Sequence, residues 1–218
     1  MPLLRTDRVY TPQEDTELLA RAARAELRAL RRGRPAEVLD VGTGSGALAL
    51  VAARSGRARV TAVDIDRRAV EEARRNARRL GLPVRVLHGD LTEPVAGRGF
   101  DLILSNPPYV ISPGAAGDTD RSWHAGADGR DVLDRLCAEA PGLLRDGGVL
   151  LLVQSALSDV GATLDALRAS GLRAGVETRA TIPFGPVMER HARWLEARGL
   201  IRPGERVEDL VVIRAERR

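Results

Sequence analysis

The chain is expected to fold as an α/β domain built on a doubly wound, mostly parallel sheet. Three observations carry this expectation. Short apolar runs of strand length alternate with segments of helical period. A glycine-rich turn follows the first run directly. The residues able to do chemistry fall just after the runs, where open parallel sheets bind their ligands.

The elements follow in order. Thr11-Pro12-Gln13-Glu14 is a helix start, with a threonine cap, proline at the first helical position and a glutamate placed to close a capping box. Leu18, Leu19, Ala22, Ala23, Leu27 and Leu30 then recur at helical spacing up to Gly33. Glu37 to Val41 reads as a buried strand, followed by a glycine turn and a helix from about Ala47 to Arg54. Arg59 to Ile65 is a second strand and Arg67 to Leu80 a second helix of the repeat, stopped by Gly81. Val84 to Leu87 and Phe100 to Leu104 are strands, Asp131 to Leu144 a helix, and Val149 to Val153 a continuous apolar strand. A helix over Ser158 to Ala169 ends at Gly171. Strands near Arg173 to Ile182 and Leu210 to Arg214 flank a last helix around Val187 to Arg198. No internal repeat or linker divides the chain, so one domain over 1–218 is expected, with 1–34 as a helical extension packed on it.

Composition narrows the class. A 44% hydrophobic and 29% charged chain is that of an ordinary soluble protein. No apolar run approaches the roughly 18 to 20 residues that span a bilayer. The acidic Glu14, Asp15 and Glu17 do not suit a signal peptide, and one cysteine, Cys137, excludes an internal disulfide. A cytoplasmic location is the expectation. The net charge of +4 invites a nucleic-acid reading, but every basic residue is arginine and alanine and glycine are abundant, which reads as codon bias over the whole chain. The clusters Arg31, Arg32, Arg34 and Arg74, Arg75, Arg78, Arg79 are therefore taken as solvated helix faces, and direct nucleic-acid binding is not expected.

At the cofactor end, the first strand runs into Asp40-Val41-Gly42-Thr43-Gly44-Ser45-Gly46. Glycines let the backbone turn tightly and approach a ligand. Gly42, Gly44 and Ala47 also satisfy the dinucleotide fingerprint. Asp40 tilts the choice, because a carboxylate beside the turn suits a cofactor with a cationic amino group and suits a pyrophosphate poorly. Asp64 ends the second strand, where a carboxylate accepts from both ribose hydroxyls, with Ile65 beside it. Asp66 fits better as the cap of the next helix. Asp90, in His88-Gly89-Asp90, is placed either to accept from an adenine amino group or to cap its own loop.

At the reacting end stands Asn106-Pro107-Pro108-Tyr109-Val110, about 60 residues after the glycine turn and directly after the fourth strand. Two prolines fix the backbone and remove two donors. The Asn106 oxygen and the Pro107 carbonyl can then accept both hydrogens of a target NH2 group and aim its nitrogen at a sulfonium methyl, a near-attack arrangement worth on the order of 7 kcal/mol in ideal cases. Tyr109 offers a flat face to a planar amide or base. The joint pattern points to an S-adenosylmethionine-dependent N-methyltransferase.

With those residues in view, the sequence resembles the class I methyltransferases and, within them, the HemK-like release-factor glutamine methyltransferases. Val9-Tyr10-Thr11-Pro12-Gln13-Glu14-Asp15-Thr16 is similar to the Tyr-x-Pro-x-Glu-Asp-Thr opening of the short branch of that family. Trp123 to Leu133, Ile182 to Pro186 and Leu210 to Arg214 are similar to later segments of it. The resemblance implies a seven-stranded sheet, with Thr16, Asp40, Gly42, Asp64 and Asp90 holding S-adenosylmethionine and Asn106, Pro107 and Tyr109 holding a glutamine amide. It implies as substrate the Gly-Gly-Gln loop of a translation release factor, and as possible company a small zinc-binding activator. Other acceptors with the same chemistry stay open: an adenine or guanine amino group on a flipped base, a lysine, or a small molecule.

No metal site is expected, since His88, His124 and His191 share no ligating spacing. Cys137 and Trp194 read as packing, whereas Trp123, in the loop 112–130, suits either packing or a substrate lid.

Overall fold

The computed structural model describes residues 13–30, 33–111 and 125–218. Seven strands form one sheet: β1 (Ala36–Val41), β2 (Ala58–Asp64), β3 (Val84–His88), β4 (Phe100–Ser105), β5 (Leu144–Ser155), β6 (Arg173–Pro183) and β7 (Val207–Glu216). They run in the order β3-β2-β1-β4-β5-β7-β6. The first five are mutually parallel, and β7 inserts antiparallel between β5 and β6. In β1 and β4 all but one residue is buried, which is why these strands read as apolar runs and not as alternations.

Chain order reverses at β1: the path leads outward through β2 and β3, then returns to lay β4 on the other side of β1. That reversal is the switch point where a doubly wound sheet opens a crevice at its carboxyl edge. Val41 pairs with Ser105 there, so the glycine turn and Asn106 leave the sheet side by side. The Ser105 hydroxyl donates to the Val41 carbonyl at 2.9 Å and fastens the two strand ends together.

Among the described residues six α-helices accompany the strands: α1 (Glu14–Ala29), α2 (Ala47–Ala53), α3 (Arg67–Arg79), α4 (Asp131–Glu139), α5 (Val160–Ala169) and α6 (Pro186–Ala197). α1 packs on α2, β5 and β7 through Leu18, Leu19, Ala23 and Leu27, all in the main core. Full burial of a leucine stabilises by about 2 kcal/mol, so this stripe fixes α1 to the sheet. A smaller core joins α6 (Met188, Ala192, Leu195) to Ile111 and Phe184, just beyond the Asn-Pro-Pro-Tyr segment. Among the described residues no helix is long and apolar enough to cross a membrane.

Several boundaries differ from expectation for identifiable reasons. The threonine cap expected at Thr11 lies outside the described residues; α1 begins at Glu14 with Gln13 at its cap position and no side-chain capping bond. The helix expected over Asp131 to Leu144 ends at Glu139, because Pro141 has no N–H to donate and the chain tightens into a 3-10 turn over Ala140–Leu143. Ser158 falls in another such turn, and α5 starts at Val160 with the Asp159 carboxylate accepting from Ala162 N. β5 reaches back through Arg145 to Gly148 to Leu144, with a register shift against Phe100 and Leu102.

Candidate active site

The glycine turn needs its glycines. Gly42, Gly44 and Gly46 have φ of 70°, 54° and 88°, the left-handed region that side chains resist. A Cβ on Gly46 would also press on Ala73 of α3 at 3.2 Å. Gly42 N and Thr43 N donate to the Val63 carbonyl, and Gly44 N donates to Asp64 Oδ2 at 2.8 Å. The turn is thereby bound to the end of β2. Asp64 Oδ1 accepts from Asp66 N at 2.9 Å. Burial pushes the Asp64 carboxyl up, against the pull of those two N–H groups. Each of its oxygens keeps a further lone pair. Ile65 stands beside it, 55% exposed, an apolar surface at the mouth of the crevice. Asp66 caps α3 by accepting from Arg68 N, as expected.

Asp40 lies beneath the turn and is fully buried. Its Oδ2 accepts from Thr43 Oγ1 at 2.6 Å and from Ala49 N at 2.9 Å, while Oδ1 has no partner among the described residues. Burial raises its pKa to about 6, opposed by those two hydrogen bonds. The Ser45 hydroxyl, in the same turn, is buried without a partner too. Unsatisfied buried polar atoms are rare enough to call for a reason, and here two of them underlie one turn. Asp90 neither caps its loop through its side chain nor stands free: its Oδ2 is paired with Arg135 of α4 at 2.8 Å.

At the reacting end the structure brings together residues far apart in the chain. Asn106 Nδ2 donates to Asp15 Oδ2 at 3.0 Å and to Thr16 Oγ1 at 3.2 Å. The Tyr109 hydroxyl donates to the same Asp15 oxygen at 3.0 Å. Both hydrogens of the Asn106 amide are thus engaged from behind, and its Oδ1 takes no donor among the described residues. Tyr109 is buried to 8% exposure, so it floors the site more than it stands open to it. Thr16, expected beside the cofactor, is placed against Asn106. Pro107 is buried; Pro108 and Val110 are half-buried along the same segment.

Gly129, just before α4, and the Ser158 turn before α5 hold this arrangement from the other side. Ser158 Oγ donates to the Tyr109 carbonyl at 2.7 Å, and a Cβ on Gly129 would come within 2.5 Å of that carbonyl. Buried Arg130 donates to the carbonyls of Ser158 and Asp159 and to Thr163 Oγ1, and pairs with Asp134. Trp123 and His124 lie outside the described residues. Nearby, at the start of β7, Glu208 is buried with one oxygen unpartnered among the described residues, and burial raises its carboxyl, helped by the charge of Asp15. Glu208 and Arg135 had not been singled out from sequence, and Asp15 stood in the opening motif with no role of its own. The signal for Asp15 was its position in the first turn of α1, on the face that Leu18 and Leu19 bury.

Among the described residues no group of three His, Cys, Asp or Glu side chains is arranged to hold a metal. Cys137 is buried and its thiol is pushed up to about 11 by that burial, so it packs, as expected. Trp194 also packs, under the Arg198 guanidinium.

A doubly wound sheet of this order, with a glycine turn and an acidic second-strand end facing Asn-Pro-Pro-Tyr across the switch point, defines a class I methyltransferase. Residues 16–168 match the methyltransferase small domain family, and the chain belongs to that family, within its HemK-like, S-adenosylmethionine-dependent group. A Methanocaldococcus jannaschii relative named as a candidate protein N5-glutamine methyltransferase is 34% identical over 183 residues, 83% of this chain and 89% of the relative. The release factor glutamine methyltransferase of Deinococcus radiodurans is 43% identical over 66% of this chain, which spans 54% of that relative. Among solved structures, the Mtq2–Trm112 complex of E. cuniculi, described as responsible for methylation of the eRF1 translation termination factor, matches with a TM-score of 0.66. That match has 22% identity and covers 96% of this chain and 98% of the other.

Proposed function

We propose that this chain transfers a methyl group from S-adenosylmethionine to the side-chain nitrogen of a glutamine, in the Gly-Gly-Gln loop of a translation release factor. The observation that carries the chemistry is the fixed polarity of Asn106. Its nitrogen is spent on Asp15 and Thr16, so an acceptor faces outward next to the Pro107 carbonyl. Two rigid acceptors select a group bearing two N–H hydrogens over a hydroxyl or a carboxylate. A glutamine amide held this way is oriented for attack, and its proton departs afterwards, so no base has to act first. Substrate identity is supported by the glutamine methyltransferases among the relatives.

When bound, the cofactor supplies an electrophilic methyl on a sulfonium. The residues present fit it: Asp64 has lone pairs left for two ribose hydroxyls, Ile65 offers an apolar surface to a purine, and Asp90 offers its second oxygen to an amino group. Asp40 sets a buried negative charge, one oxygen unmatched, under the place where a cationic amino group belongs. Gly42 and Gly44 let the backbone close on the ligand, and Thr16, beside Asn106, stays a candidate contact to it. Asp64→Ala should weaken S-adenosylmethionine binding roughly tenfold, the loss of about one charge-assisted hydrogen bond, measured by calorimetry. An unchanged affinity removes Asp64 from the cofactor site.

A small activator subunit and a cytoplasmic location go with this reading; the E. cuniculi neighbour supports the first, being a complex of two chains. The deciding assay supplies labelled cofactor and a release factor, with a Gln→Ala variant in its Gly-Gly-Gln motif as control, alone and with a candidate activator. Label is expected on the glutamine. Label on RNA or DNA, with the release factor left unmodified, overturns the substrate.

A further inference from the structure

We infer that Asp15 is the positioning residue that sets the polarity of the acceptor site, acting through Asn106 and Tyr109. The inference rests on the function proposed above, but its geometry stands apart from it. Asp15 is 5% exposed in the first turn of α1. Its carboxylate accepts from Thr16 N and Thr16 Oγ1 on one oxygen and from Asn106 Nδ2 and the Tyr109 hydroxyl on the other. Thr16 Oγ1 spends its own hydrogen on Asp15 and so must accept from Asn106. The direction of each bond in the chain is therefore dictated by the carboxylate.

A flipped Asn106 amide would set its oxygen against the Asp15 oxygen and turn its NH2 toward the substrate. A free asparagine pays little to flip; here the flip exchanges two hydrogen bonds for a lone-pair repulsion. An amide with two N–H groups would then meet donors, and the site would repel its own substrate. Asp15 excludes that state. The same oxygen holds the Tyr109 hydroxyl, the Ser158 turn before α5 donates to the Tyr109 carbonyl and Gly129 packs close to it, so the Asn-Pro-Pro-Tyr segment is held between α1 and these two turns. Glu208, hydrogen-bonded with Ser155 and near enough to feel the Asp15 charge, has its carboxyl raised chiefly by burial.

The sharpest substitution is Asp15→Asn, which keeps the shape but must turn an NH2 toward one of the two pairs of donors. Three readouts separate positioning from general damage. Calorimetry should show cofactor affinity within about twofold of the parent, while kcat on the release factor falls roughly tenfold or more with a smaller change in KM. Ring-carbon NMR of the two tyrosines, with Tyr109→Phe to assign them, should show the alkaline ionisation of Tyr109 moving to lower pH, since the neutral phenol loses an anionic acceptor. Thr16→Val should lower kcat in the same way and Thr16→Ser should preserve it, which keeps the test alive if Asp15→Asn does not fold. An unmoved Tyr109 transition in folded Asp15→Asn, or an unchanged kcat in both Asp15→Asn and Thr16→Val, overturns the inference. If the parent enzyme leaves the release factor unmodified, the proposed substrate fails, and the Tyr109 titration still decides the role of Asp15.

Discussion

Asn106→Ala is expected to lower the rate of methyl transfer by roughly 10²–10³-fold while leaving cofactor affinity nearly unchanged. The magnitude follows from what the side chain offers the transition state. As the substrate nitrogen attacks, it gains positive character and its N–H groups become stronger donors, so an acceptor fixed on them binds the transition state better than the ground state. Removal of one preorganised polar group of this kind from an active site costs about 2.7–4 kcal/mol. The accompanying structural loss is small, because Asn106 is half-buried at the crevice and its truncation frees Asp15, which keeps Tyr109 and Thr16 as donors. Single-turnover kinetics with labelled cofactor, beside calorimetry, measures both quantities. A parallel fall in turnover and cofactor affinity would assign Asn106 to holding the cofactor and not the acceptor. Asn106→Asp is a useful companion: it would set a second carboxylate face to face with Asp15, and should be as inactive as alanine despite retaining its oxygen.

The parts of this site that sequence disclosed are those built from neighbours in the chain. Asp40 to Gly46 and Asn106 to Tyr109 each carry their constraint locally, in glycines that permit a left-handed backbone and prolines that forbid a donor, so they are legible wherever they occur. Alternating strands and helices were legible for the same reason, since periodicity is local. What could not be read is what the topology brings together. Asp15 and Asn106 are 91 residues apart and meet because α1 packs across β5 and β7 near the switch point. Asp90 was weighed as an adenine ligand or a loop cap, and the structure adds a partner for one of its oxygens, Arg135, on a helix 45 residues later. Strand order was likewise hidden: β6 and β7 look equally plausible as neighbours of β5. The structure places β7 inside, where Leu210 to Ile213 are fully buried, and leaves the half-exposed β6 at the edge. Asp40 was read correctly as lying beside the turn, yet its depth, with no exposed surface, depends on α2 and β4 closing over it.

That depth makes Asp40 the subject of the second large effect, a pH dependence with opposite signs for stability and for cofactor binding. The carboxyl titrates near 6 in the folded chain, against 3.8 when unfolded, because burial disfavours its charge more than Thr43 and Ala49 favour it. Below pH 4 both states hold the proton and no penalty exists. As pH rises from about 4 to 6 the unfolded chain releases its proton first, the native state binds more protons, and stability falls. Above 6 the penalty levels off at about 3 kcal/mol, from a gap of roughly two pH units at 1.36 kcal/mol each. Asp40→Asn removes the titration. The asparagine oxygen can serve Thr43 and Ala49 while its NH2 takes the unpartnered side, at a cost of about 1–3 kcal/mol that does not vary with pH. Denaturant unfolding of parent and variant should therefore give curves that diverge by about 3 kcal/mol in favour of the variant between pH 4 and pH 7.5, whatever their offset. Cofactor affinity should run the other way: in the parent it climbs through pH 6 as the carboxylate forms beneath a cationic amino group, and in Asp40→Asn it stays low and flat. On the function proposed above, a charge that costs stability where it is ionised is kept for the cofactor. Parallel unfolding curves would place the Asp40 proton elsewhere, and a parent affinity indifferent to pH between 5 and 7 would detach that charge from the cofactor.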